Sequence, residues 1–133
     1  MHADEIDNHD VSRETDEGIL ETLGLVTDLY NRESRGHVKR IRKYAQVLLK
    51  HVADLCPEYG LTEERIRKIV SAVAIQDIGE IAIPDNIIMK PGILTDHELK
   101  IMKTHPLHGC KVVESLKPII SDPELFRYCY EIC

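Results

Sequence analysis

From Ile19 to Tyr30 apolar residues recur at three- and four-residue steps, namely Ile19, Leu20, Leu23, Val26 and Tyr30. That period places one apolar face on a helix that starts near Asp16. A second stripe follows in "SRGHVKRIRKYAQVLLKHVADL", where Val38, Ile41, Ala45, Leu48, Val52 and Leu55 point one way and Lys39, Arg40, Arg42 and Lys43 crowd the others. The basic positions read as a solvated helix face. Pro57 and Gly60 in "CPEYGL" interrupt the pattern, and Thr62 caps a third helix whose Ile66, Ile69, Val70, Val73 and Ala74 pack inward. Gly79 is expected to end it. The segment "IAIPDNIIMKPGIL" is too rich in Pro and Gly for a long helix, although "PDNIIM" suits a turn or two, and it should cross the mouth of whatever the helices enclose.

Thr95 and Glu98 in "TDHE" have capping-box spacing, so a helix begins there. Pro106 bends or restarts it, and Ser121, Asp122 and Pro123 open a last helix in which no stop signal appears before Cys133. With one Phe, no Trp and no long alternation of Val, Ile and Thr, sheet is not expected. The pattern predicts an all-α domain of five to six helices around one core. A length of 133 residues and a mass of 15.2 kDa allow one such domain and not two.

The net charge of -6 changes how the first residues are read. Residues 1–17 hold seven acids against Arg13 alone, while acids and bases cancel over residues 18–133. The acidity therefore belongs to a leader, expected to be a disordered arm or an interdomain linker. A neutral body gives no reason to expect a nucleic-acid polymer as partner. No apolar run reaches the ~20 residues that cross a bilayer, and the polar start lacks the apolar stretch of a signal peptide. A cytoplasmic setting without a membrane partner is expected, with Cys56, Cys110, Cys129 and Cys133 as reduced thiols. Cys129 and Cys133, one turn apart, form at best a weak metal pair.

Candidate chemistry gathers at helix ends and bends. Glu33 and His37 are four apart and share a face if the helix already runs there; Asp77 closes the third helix; His105 precedes the Pro106 bend. Two carboxylates and two imidazoles form a mixed set suited to iron, manganese or zinc, less so to calcium. Singly, each has a plainer reading: a lone His on an amphipathic helix is usually a part-buried polar residue, and an Asp after a helix is often a cap. His2, His9, His51, His97 and His108 read as surface residues.

The runs "GHVKRIRKYA" and "QDIGEIAIPDNIIMKPGILTDHELKIMKTHPLHG" resemble the HD-GYP subgroup of the HD phosphohydrolase superfamily over roughly residues 33–133. The resemblance implies an HD-type helical bundle, here C-terminally incomplete, with residues 18–31 as a linker helix. It maps Glu33, His37, Asp77 and His105 to metal ligands, Asp77 to the bridging and catalytic carboxylate if the domain is active, and Lys103 to a basic substrate-side position. It also implies hydrolysis of cyclic di-GMP or a relative, in which clustered metals polarise the phosphodiester and generate hydroxide.

Three departures oppose that activity. Gln76 stands where the family has the His of its His-Asp pair, and its neutral amide is a weak donor. Glu80 replaces a Lys, placing negative charge where the family would meet a phosphate, although it lies close enough to Asp77 to substitute as a ligand. The tandem His and GYP segment do not appear before Cys133. The leading expectation is a degenerate, non-catalytic regulatory or interaction module with divalent metal at reduced stoichiometry or none. The alternatives are a working phosphodiesterase seen as a fragment, and a metal- or nucleotide-binding domain without turnover. Expected partners are an upstream sensory or receiver domain, a second copy, or a cyclic dinucleotide.

Overall fold

A computed structural model describes residues 8–32 and 36–133, with the side chains of 8 and 9 excepted. Among these the chain is all-α: α1 (Asn8–Tyr30), α2 (His37–Leu55), α3 (Glu63–Ala72), the single turn α4 (Asp85–Ile88), α5 (Asp96–Met102), α6 (His105–Leu116) and α7 (Pro123–Ile132). Setting α4 aside leaves the six helices at the upper end of the expected number. Leu20, Ala72, Ile75, Ile78, Val113, Leu116, Leu125 and Cys129 form the core, drawn from every long helix except α2, which contributes Val38 beside it.

The helix boundaries have local causes. Thr62 accepts from the Arg65 amide and caps α3. At α5 the predicted capping box is complete, Thr95 Oγ1 accepting from the Glu98 amide and Glu98 Oε2 from the Thr95 amide at 2.7 Å. Pro106 restarts the chain as the first turn of α6, where its missing amide is no loss. Asp122 Oδ1 accepts from the amides of Glu124 and Leu125 and starts α7.

Four expectations change. α1 begins at Asn8, so the segment from 8 to 17 is helical instead of a disordered leader; residues 1–7 lie outside the described residues. Within it Asp16 is buried and its Oδ2 accepts from Ser121 N at 3.0 Å, Ser121 Oγ at 2.8 Å and Asp122 N at 3.3 Å, tying α1 to the start of α7. Val26 is exposed, and Thr27 takes the inward place. Leu48 and Leu55 are exposed on α2 at 64% and 79%, because the stripe is broader than the surface α3 and the core can cover. Gly79 does not end α3: the helix tightens into a 3-10 turn at Val73–Ile75, and Gly79 is buried in a second 3-10 turn, Ile78–Ala82.

Lys68 is buried as well, its Nζ 2.9 Å from Asp122 Oδ2, 2.9 Å from Glu124 Oε2 and 3.2 Å from Glu64 Oε1. Burial alone would push this ammonium down, but the three carboxylates outweigh it and hold the group above its usual range.

Candidate functional site

Gln76 and Asp77 sit in the break between the two 3-10 turns, Asp77 with φ -105° and ψ 14° in the sparsely populated bridge region. Two glycines fix that break between helices. A side chain at Gly24 of α1 would place its Cβ 2.3 Å from the Ala74 carbonyl oxygen. One at Gly79 would stand 1.9 Å from the His105 carbonyl oxygen and 2.4 Å from the Gly109 amide nitrogen of α6. Both contacts are shorter than a Cβ tolerates, so α1 and α6 approach the segment backbone to backbone. Gly24 carried no signal in the sequence beyond being a glycine in a helix.

The crevice beside Asp77 is lined by Thr27, Asp28, Asn31, His37, Val38, Ala74, Gln76 and Asp77, and holds about 10 Å³, room for one water-sized particle. The structure therefore brings His37, Gln76 and Asp77 together. His105 opens α6 against the Gly79 turn but does not line the crevice; its Nδ1 lies 2.9 Å from the Met102 carbonyl, which fixes the proton on Nδ1 and leaves Nε2 as the lone-pair nitrogen of the neutral ring. Lys103 is exposed at the end of α5 and is not part of the lining. Glu33 lies outside the described residues. Gly36 caps α2 in a left-handed conformation, φ 79°, and α2 begins at His37.

Asp28, Asn31 and Thr27 were missed. Asp28 Oδ2 accepts from the Val38 amide at 3.0 Å, and Thr27 Oγ1 donates to the Leu23 carbonyl at 2.9 Å. Asn31 donates from Nδ2 to the Glu80 carboxylate, while its Oδ1 is buried with no hydrogen-bond partner among the described residues. Their signal was present: the inward row of α1 runs Leu20, Leu23, Thr27, Asn31 and turns polar as it reaches Asp77. On the other side of Asn31 a second hollow of about 230 Å³ is lined by Glu80, Ile87, Lys90, Leu94 and Met102, roofed by the Pro- and Gly-rich segment. Tyr30 ties that segment down by donating to Asp85 Oδ1 at 2.7 Å.

Cys129 and Cys133 give no soft site. Burial pushes both thiols up to about 12, and Cys133 Sγ donates to the Ile75 carbonyl at 3.3 Å, so neither offers a thiolate near neutral pH. Among the described residues no three His, Cys, Asp or Glu side chains converge on one ion.

This arrangement, an all-α bundle with an Asp in the break between two 3-10 turns beside a His that opens α2, defines an HD-type domain. The family model described as "HD domain" matches residues 29–131, and the chain belongs to that family. It is 46% identical over 66 residues to the cyclic di-GMP phosphodiesterase response regulator RpfG of Xanthomonas campestris, covering 49% of this chain and 18% of that one. It is 33% identical over 103 residues to a cyclic di-GMP phosphodiesterase of Thermotoga maritima, covering 77% and 26%. To the 3'3'-cGAMP-specific phosphodiesterase 2 of Vibrio cholerae it is 33% identical over 105 residues, covering 79% and 19%. The chain thus spans about a fifth to a quarter of the length of these relatives.

HD phosphohydrolases are generally metal-dependent. The described donors of the crevice are oxygens from Asp28, Asn31, Gln76 and Asp77 with one imidazole, His37. That set does not fit an imidazole-rich pair of ions.

Proposed function

We propose that the chain is a degenerate HD domain of cyclic-dinucleotide signalling, acting as a regulatory or interaction module without hydrolysis. The observation that supports this most is the pairing at the site's edge. Gln76 supplies a neutral amide beside Asp77, and Asn31 holds the Glu80 carboxylate one turn further on. The first weakens metal capture, and the second sets negative charge where a phosphodiester would have to approach. In this reading an upstream sensory or receiver unit, or a second copy, is the partner, in the cytoplasm.

The alternative, a metal-dependent cyclic di-GMP phosphodiesterase, is favoured by the names of the relatives and by Asp77, His37 and His105 being present. Incubation of the purified chain with cyclic di-GMP and manganese or ferrous ion separates the two. No linear dinucleotide or GMP above a protein-free control is expected; turnover that Asp77→Ala abolishes would overturn the reading.

A further inference from the structure

We infer that the outward face of α1 is the seam of a parallel two-stranded coiled coil with a second copy of this chain. Turned away from the core, Val11, Thr15, Gly18, Thr22, Leu25 and Leu29 follow one another at alternating steps of four and three residues. That alternation is the heptad repeat, the period at which two helices keep one seam facing each other. All six positions are exposed, Leu29 at 80%. None is charged in a chain that is 30% charged, whereas a helix face left to water is where charges collect. The two threonines do not break the line. Thr15 Oγ1 donates to the Val11 carbonyl and Thr22 Oγ1 to the Gly18 carbonyl, each at 2.8 Å, so a partner helix laid over them strips neither hydroxyl proton of its acceptor.

The borders of the row name the occupant. Along one side Glu14, Glu21 and Asp28 recur seven residues apart; along the other Ser12, Ile19 and Val26 do, with no charge among them. In a parallel pair the first border of each helix lies against the second border of its partner, so the acids meet uncharged residues. An antiparallel pair would set acids against acids. Arg42, 3.4 Å from Glu21, offsets part of that charge but stands on α2, outside the row. One helix thus carries both halves of a compatible edge, which a second copy supplies. Only Val11, Leu25 and Leu29 are large and apolar in the row, so the pair is weak, with dissociation on the order of 10 µM. The opposite row of the same helix brings Thr27 to the Asp77 crevice, and pairing therefore steadies one wall of that site.

This gives the second-copy partner of the proposed module its surface, and it rests on no statement about hydrolysis. Sedimentation of the purified full chain, without metal or cyclic dinucleotide, should show the mass rising from 15.2 kDa toward twice that over a concentration series. Leu25→Lys combined with Leu29→Lys should weaken association roughly tenfold or more, while the melting temperature of the dilute, monomeric protein stays level. Should that variant fail to fold, Val11→Lys at the other end of the row carries the same expectation. Thr15→Cys reads the orientation: the two introduced thiols face each other across a parallel seam and lie turns apart in an antiparallel one, so mild oxidation should yield more cross-linked dimer than the parent's own cysteines give. A chain that stays monomeric throughout, association unchanged in the folded lysine variants, or no added cross-link from Thr15→Cys would overturn the inference.

Discussion

Gly79 is the residue on which the site's geometry turns most directly. A Cβ there would lie 1.9 Å from a backbone oxygen of α6, and backbone cannot step aside as a flexible side-chain tip can. Gly79→Ala should therefore cost roughly 3 kcal/mol, the overpacking range, in urea denaturation. Gly18 makes the control: it is exposed on α1 with nothing within 4 Å of its added Cβ, and Gly18→Ala should stabilise by about 0.5–1 kcal/mol. Equal effects at the two positions would mean that α6 does not press on the turn. Glu98 gives a test in pH. Its carboxylate, 2.5 Å from Lys90 Nζ and bonded to the Thr95 amide and hydroxyl, is held down to about 2 from 4.5. A carboxyl depressed on folding stabilises above its unfolded value and loses that contribution as pH falls toward its folded one. The melting-temperature gap between the parent and Glu98→Gln should thus be full above pH 4.5 and close as pH falls toward 2.

Among elements, α1 shows why the sequence was only partly legible. Its inward row is apolar in the middle, at Leu20 and Leu23, and periodicity finds that middle. At the front the row holds Asp16, because what it meets is the turn before α7, where the amides of Ser121 and Asp122 need an acceptor. At the back it holds Thr27 and Asn31, because what they meet is the Asp77 crevice. Both ends therefore look like surface or linker by hydropathy, and the acidic count over residues 1–17 hid a buried aspartate. Capping signals at Thr62, Thr95 and Asp122 were readable because each acts within its own turn; the Gly24 and Gly79 contacts were not, because the partner backbone is distant in sequence. Asp16→Ala should cost roughly 2 kcal/mol by stripping acceptors from Ser121 and Asp122, measured by urea denaturation. A variant as stable as the parent would place the start of α1 outside the cooperative unit.

For the molecule as a whole, the question is which apolar residues hold it together. The α2 stripe predicted six inward positions, yet only Val38 is buried, while Leu48 and Leu55 stand with Tyr44 and Val47 on an exposed apolar flank. Amphipathic spacing shows that a helix has an apolar side, but the width of its neighbours decides how much of that side is covered. Here α1, α3 and the Val73–Ile75 turn cover one edge of it. If the core is the one centred on Leu20, Ile75 and Val113, then Leu48→Lys combined with Leu55→Lys should leave urea stability within about 0.5 kcal/mol and lower the fluorescence of a bound hydrophobic dye. Leu20→Ala, fully buried, should instead cost roughly 3–5 kcal/mol. A loss in the double lysine variant as large as that of Leu20→Ala would mean that the α2 flank is internal to the fold, and that another part of the chain covers it in solution.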